Sequence, residues 1–362
     1  MIQELEAPFT SPGNPDVLVV GAGVFGLWAA RNAIRTGKRV LVLEKRRAGA
    51  GASGGFLGAL MPHMPDRWNV KKQFQFEALV GLEGAIRALE SDTAMDCGYR
   101  RCGRLVPVTS ERTVEVVRQR VDSAKVNWPG FRLEHWTTFD GTPAEGWLAP
   151  EAAPHGVQWD DLSARIDPRA LVAALAAFVR MHGELREGVE VTARESGAAV
   201  LADGSRVSAG EVIVANGWEA YALLQPHMGQ MAGNAPIGRG VRGQAMLLEF
   251  PHTDDRPIVY SDGAYVVPQA GGRIAVGSST VENWRGEPGD FDPADVGFHA
   301  RADALVPGVA GAPVMERWAG IRPRNMLKPK DTEAWFGAVP GLDGVSARIG
   351  GFKTGLAIAW RS

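Results

Sequence analysis

Residues 17–26 read Val-Leu-Val-Val-Gly-Ala-Gly-Val-Phe-Gly, and a second apolar run, Arg39 to Leu43, closes on Glu44. An apolar strand, a turn carrying Gly21, Gly23 and Gly26, a helix and a second strand ending in an acid follow one another. Each part has a physical job. Gly21 permits the tight turn, Gly23 lets the backbone approach a pyrophosphate, and Gly26 lets helix and strand pack closely. The helix start, with Val24 and Phe25, offers free N–H groups and a positive dipole end to phosphates. Glu44 stands about 20 residues on, where an acid accepts hydrogen bonds from a ribose 2′-OH. The stretch implies an α/β, Rossmann-like domain that binds FAD or NAD; the fingerprint alone serves both.

The rest of the chain sets bounds on that domain. With 362 residues, 45% of them hydrophobic, it can bury a large core, and its length suggests two domains. A formal net charge of −2 points to neither nucleic acid nor an anionic membrane. Two cysteines, Cys97 and Cys102, make no disulfide framework and suit a reducing compartment. The start, Met1-Ile-Gln-Glu-Leu-Glu, lacks the basic and apolar regions of a signal peptide, so a cytoplasmic protein is expected. No apolar run reaches the roughly 20 residues needed to cross a bilayer. No Cys/His cluster has metal-ligand spacing.

Further along, the pattern alternates between two rhythms. Helices are expected over Asn69–Glu90, Glu111–Lys125 and from Asp167-Pro168, where Pro takes the first helical position. Leu185–Val191, Ala198–Leu201 and Arg206–Ala215 read as strands, with a hairpin turn at Asp203-Gly204. The run Glu211–Ala215 has the character of a buried parallel strand and ends in Asn216-Gly217. Gly243–Phe250, Arg256–Pro268, Arg273–Ser278 and Pro313–Arg322 alternate like strands of an antiparallel sheet, interrupted by a helix over Pro293–Leu305. Val345–Trp360 reads as strand, glycine turn and helix start. This order predicts a Rossmann-like nucleotide domain in three parts (1–90, 156–232 and 323–362). A second, α+β domain built on an antiparallel sheet is inserted as 91–155 and 233–322.

Four motifs, in order, resemble the D-amino acid oxidase superfamily of FAD enzymes, in its glycine/sarcosine oxidase and D-amino acid dehydrogenase branch. The first is the fingerprint with Glu44 and the adjoining Lys45. The second is Gly51-Ala-Ser-Gly-Gly55; the resemblance implies that Ala52, Ser53, Gly54 and Gly55, with Gly58 beyond, run along the FAD pyrophosphate. Unobstructed backbone N–H groups suit that task. The third is Arg317-Trp-Ala-Gly-Ile-Arg-Pro323, similar to a family strand whose second arginine holds the substrate carboxylate; that role falls to Arg322, whose guanidinium can fork two hydrogen bonds onto a carboxylate. The fourth is Gly350-Gly-Phe-Lys-Thr-Gly355, resembling the glycine motif that closes over the flavin. Gly351, Phe352, Lys353, Thr354 and Gly355 are thereby placed at its N1/C2=O edge, where negative charge develops on reduction.

Two segments support the resemblance. Val259–Pro268 carries Tyr260 and Tyr265, which match substrate-site hydroxyls; core or domain-interface tyrosines are the alternative. Ala215, Asn216 and Gly217 match a strand end beneath the adenine–ribose half, with Val189 at the adenine. These later motifs favour FAD over NAD. Gly58-Ala-Leu-Met-Pro-His63 also resembles the oxidase domain of a bifunctional tRNA wobble-uridine enzyme, although no basic face accompanies it. His63 is a candidate base there, with a structural histidine as the alternative.

The resemblance implies an FAD-dependent oxidoreductase acting on the C–N bond of a small amino acid or N-alkyl amino acid, by hydride transfer to flavin N5 and hydrolysis of the imine. Noncovalent FAD is expected, because no Cys or His sits in a covalent-flavin motif. Oxidation of a 2-hydroxy acid, or a non-catalytic FAD-binding subunit of a heteromeric amine dehydrogenase, are the rival readings. The resemblance also makes the nucleotide domain an FAD-binding domain and the inserted α+β domain the substrate domain.

Overall fold

The computed structural model describes residues 14–327 and 333–362. The expected absence of a targeting segment concerns residues outside that range. Val17–Val20 is fully buried and forms the centre of a six-stranded sheet. The order across it is Trp335–Ala338, Val345–Ile349, Glu211–Val214, Val17–Val20, Val40–Glu44, Glu184–Glu187. All neighbours pair in parallel except the antiparallel edge strand Trp335–Ala338. Central parallel strands are covered on both faces, which is why they read as continuous Val/Ile/Leu runs rather than alternating ones. Each such side chain contributes roughly 1.5–3 kcal/mol on burial.

The helix Val24–Arg35 returns the chain from the first strand to the second, with Leu27, Ala30 and Ile34 buried as their helical spacing requires. It packs on Pro168–His182, whose start is fixed by the Asp167 side chain accepting from the Arg169 and Ala170 N–H groups. The helix Val70–Thr93 packs on the same layer, capped by Asn69 through the Lys72 N–H.

The second sheet has eight strands: Val314–Asn325, Gly238–Glu249, Arg273–Gly277, Ala264–Gln269, Ile258–Ser261, Arg104–Pro107, Val157–Asp160, Leu133–Trp136. It is mixed rather than wholly antiparallel, because Ile258–Ser261 and Arg104–Pro107, brought together from distant sequence, pair in parallel. Val157–Asp160 belongs to this sheet although it follows residue 155.

Three expected strands are divided; Arg206–Ala215 ends as Arg206–Ser208 in one sheet and resumes as Glu211–Val214 in another. Arg256–Pro268 is a hairpin, Ile258–Ser261 and Ala264–Gln269, turning at Asp262-Gly263 with φ of 44° and 76°. An Asp-Gly pair with both residues left-handed is the sequence signature of such a turn. Leu185–Val191 breaks after Glu187, and the chain resumes as Val191–Glu195 in a separate three-stranded sheet with Ala198–Leu201 and Arg206–Ser208. Among the described residues, no helix is long and apolar enough to cross a membrane, and no group of His, Cys, Asp or Glu is placed to hold a metal ion.

Candidate active site

One cavity of about 850 Å³ runs from the carboxyl end of the parallel sheet to the inner face of the eight-stranded sheet. Its first end is built from the opening fingerprint. Gly21 has φ +102°, and a Cβ there would stand 2.6 Å from the Asn216 Cα, so both conformation and crowding demand glycine. A Cβ at Gly26 would meet the Gly21 carbonyl oxygen at 1.9 Å; this glycine serves helix–turn packing and does not line the cavity. Glu44 is held by two backbone donors: the Ala22 N–H reaches Oε2 and the Arg46 N–H reaches Oε1, each at 2.9 Å. The carboxylate is therefore pre-oriented, with lone pairs left for hydroxyl donors. Lys45 pairs with Glu190 at 2.9 Å beside it. The Val189 N–H donates to the Glu44 carbonyl, which brings Val189 onto the cavity wall.

The glycine loop forms the middle of the cavity. Ser53 Oγ accepts the Val24 N–H at 3.0 Å, so one helix-start donor is already used. The rest of that first turn has no side-chain cap and faces the cavity with Gly23 and Phe25. Arg169 locks the loop from behind: Nε donates to the Gly54 carbonyl at 2.7 Å, while its two terminal nitrogens grip Glu316 at 2.8 and 2.7 Å. A Cβ on Gly54 would meet the Gly49 carbonyl at 2.4 Å, so Gly54 packs inside the loop, and Ala52, Ser53, Gly55 and Gly58 line the cavity. On the far wall, Ala215, Asn216 and Gly217 follow the Glu211–Val214 strand, and Asn216 Oδ1 has no protein partner.

The other end is set by the long pair Gly238–Glu249 and Val314–Asn325. Arg322 lies opposite Val241, and its guanidinium packs over Gly243, where a Cβ would stand 2.7 Å from Nε. NH2 donates to the Ser279 carbonyl at 2.7 Å and to Thr280 Oγ1 at 3.1 Å, and NH1 to Ser278 Oγ at 3.4 Å. No carboxylate pairs with it among the described residues, and Nε is buried without a partner. Burial pulls its pKa down to about 10, so it remains a cation at neutral pH. The hairpin at Asp262-Gly263 makes Tyr260 and Tyr265 cross-strand partners with ring centroids 4.7 Å apart, both on the cavity wall. Burial pushes the Tyr265 phenol up to about 12 and keeps it neutral.

The C-terminal glycine motif closes this end. The Phe352 N–H donates to the Pro323 carbonyl at 3.1 Å, and Thr354 Oγ1 to the Gly351 carbonyl at 3.1 Å. Phe352 lies under three cations, Arg322, Arg324 and Lys353, at 5.1, 4.3 and 5.9 Å from its ring. Arg324 is neutralised by Glu282. Among the described residues Lys353 has no acidic partner; burial, then Arg322 and Arg324, lower its pKa. Gly351, Phe352, Lys353, Thr354 and Gly355 all line the cavity, and the helix they open, Gly355–Ile358, is short.

The structure thus gathers every singled-out residue except Gly26 and Gly54 onto one wall system. It also brings in residues that the motifs did not flag: Trp318, Met61, Met64, Gln75, Arg104, and Pro288 with Gly289. Trp318 was inside a quoted motif, and its indole lies 3.3 Å from where a Gly55 Cβ would be. Arg104 and Gln75 sit on a distant strand and helix, and only the tertiary fold aims them here.

A glycine turn and a fixed carboxylate at one end of a cavity, and at the other an arginine without a carboxylate partner among the described residues, suit a dinucleotide-dependent oxidoreductase. Residues 16–361 match the model of the DAO family, described as FAD dependent oxidoreductase, and the chain belongs to that family. It is 25% identical over 360 residues to the glycine oxidase of Geobacillus kaustophilus, covering 95% of this chain and 89% of that one. The crystal structure of glycine oxidase from that organism superposes with a TM-score of 0.81 at 22% identity, covering 98% of this chain and 92% of that one. The bifunctional tRNA 5-methylaminomethyl-2-thiouridine biosynthesis protein of Burkholderia thailandensis is 30% identical over 290 residues, 77% of this chain but 41% of that protein.

Proposed function

We propose that the chain oxidises the C–N bond of a small amino acid or N-alkyl amino acid, with FAD held noncovalently in the cavity. The single observation that carries this reading is Arg322: a guanidinium with no carboxylate partner among the described residues, desolvated and fixed by three oxygen acceptors, at the end of the cavity away from Glu44. Such a group is stabilised by a substrate carboxylate, which it can grip through two parallel hydrogen bonds. Relatives named glycine oxidase support the amine class.

The residues fit the cofactor. Gly21, Gly23, Val24 and Phe25 with Ala52, Ser53 and Gly55 would pass along the pyrophosphate, and Gly26 and Gly54 would keep that turn and loop compact. Glu44, Lys45, Val189, Ala215, Asn216 and Gly217 would hold the adenosine half, with the unpartnered Asn216 Oδ1 accepting from a hydroxyl. Gly58, Gly351, Phe352, Lys353, Thr354 and Gly355 would border the ring system. Bound FAD supplies the two-electron acceptor; the protein's own part is orientation and charge. Arg322 fixes the carboxylate, Tyr260 and Tyr265 bound the amine side, and the imine formed is released to water. The six-stranded sheet would serve as the FAD-binding domain and the eight-stranded sheet as the substrate domain. A cytoplasmic location and small-molecule substrates, without nucleic acid, complete the reading.

An anaerobic panel of amino acids, N-methyl amino acids and 2-hydroxy acids tests it by the colour of the bound flavin. Bleaching by a member of the first two groups is expected. Bleaching by 2-hydroxy acids alone, or by nothing, refutes it.

A further inference from the structure

An amino acid enters such a cavity as an ammonium, and C–N oxidation needs the nitrogen lone pair free. The cavity end near Arg322 carries cations that disfavour a second positive charge. Among the described residues, Arg322 and Lys353 are both without a carboxylate there, and the lining carboxylates, Glu44, Glu190 and Glu219, cluster around Lys45 at the opposite end. Burial, with Arg322 and Arg324 nearby, lowers the pKa of the Lys353 ammonium on this wall. A proton leaving the substrate therefore needs an acceptor, and the neighbouring titratable groups fail as bases. Tyr265 is a neutral phenol. Arg104 is a buried cation locked to Asp160 at 2.8 Å. Lys72 on the adjoining helix is occupied with the Met64 and Asp66 carbonyls.

His63 remains. It lines the cavity between Pro62 and Met64, and its backbone N–H is anchored to the buried Gln75 Oε1 at 2.7 Å. Nε2 stands 3.6 Å from the Glu333 carboxylate, and the side chain is 39% exposed, so a proton taken up has a route to water. We propose that His63 is the proton acceptor for the substrate ammonium, with Glu333 as the positioning residue that steadies the resulting imidazolium. This rests on the amine-oxidation reading. The balance is simple: one N–H bond of the ammonium breaks, its electron pair stays on nitrogen, and one N–H bond forms on the imidazole ring. The proton then passes to solvent, and no oxidant is involved. The imidazole is available, because burial, with Lys72 and Arg104 nearby, lowers its pKa and outweighs Glu333, which raises it. It is thus neutral at pH 7 and becomes unable to accept a proton only at more acid pH.

The test uses His63→Gln in the flavin-loaded enzyme. At pH 7 the rate of anaerobic flavin reduction should fall roughly 100-fold or more, within the usual range for an acid–base group. The deficit should shrink as the pH rises toward the amine's own pKa, where free substrate is already neutral. A deficit that is absent, or equal at every pH, overturns the proposal. A second readout needs no turnover. 2-Aminoisobutyrate has no C–H bond beside nitrogen and cannot be oxidised; its affinity, read from the flavin spectrum, should fall at acid pH in the wild type and lose that limb in His63→Gln. Persistence of the limb in the variant overturns the proposal. Should His63→Gln lose its flavin, Glu333→Gln replaces it: removing the carboxylate should move the acid limb to lower pH, and an unmoved limb is contrary. Failure of the amine reading looks different, since no amine would then bleach the wild type.

Discussion

Replacing Arg322 with Ala removes a cation that has three oxygen acceptors but, among the described residues, no anion partner. The protein loses little by it: Ser278, Ser279 and Thr280 keep access to water through the opened cavity. The substrate carboxylate loses its counter-charge in a desolvated site. Truncating one partner of a buried charge pair typically costs about 2–5 kcal/mol. At about 1.4 kcal/mol per tenfold, kcat/KM on the best amino acid should fall roughly 30-fold to 4,000-fold. The flavin should stay bound, because Glu44, Ser53 and Asn216 lie elsewhere along the cavity. Steady-state kinetics with matched substrates supply the control: an amine lacking the carboxylate should react equally poorly with wild type and variant. Near-normal kcat/KM on the amino acid, with full flavin content, would refute the carboxylate clamp.

Three further substitutions probe other parts of the account. Tyr260→Phe should weaken substrate by about 0.5–1.5 kcal/mol, one hydrogen bond's worth, chiefly in KM; an unchanged KM places the hydroxyl outside the site. Gly21→Ala forces a side chain into φ +102° and against Asn216, so flavin retention should drop along with ~1–3 kcal/mol of stability, checked by flavin absorbance and thermal melting. Asp160→Ala strands Arg104, 3% exposed, without its partner at 0% exposed, and should cost about 3–5 kcal/mol in denaturant unfolding. A variant as stable as the parent would contradict the buried ion pair's role.

Much of the nucleotide end was legible because its constraints are local. The turn at Gly21, the helix from Val24 and the acid at Glu44 lie within one β-α-β unit, and their spacing is fixed by backbone geometry. The helix start at Asp167-Pro168 and the strand Ala198–Leu201 were readable for the same reason. The substrate end was legible only in fragments. Arg322 and the tyrosines stood out by motif, but the Asp262-Gly263 turn that makes Tyr260 and Tyr265 face each other was passed over inside a longer alternating run. The break after Glu187 was likewise hidden by continuous strand-like residues. Arg104, Gln75 and the Arg169–Glu316 grip depend on segments up to 147 positions apart. No window of sequence carries such a pairing. The parallel contact between Ile258–Ser261 and Arg104–Pro107 is non-local in the same way.

A single anaerobic turnover tests the central claim most directly. Flavin-loaded protein is mixed with the amino acid that bleaches it, and the carbonyl product and the released ammonia or amine are counted against flavin reduced. C–N oxidation followed by imine hydrolysis predicts one carbonyl and one amine for each flavin reduced. Flavin reduction with a carbonyl product but no released amine would contradict it, as would a flavin that no amino acid reduces.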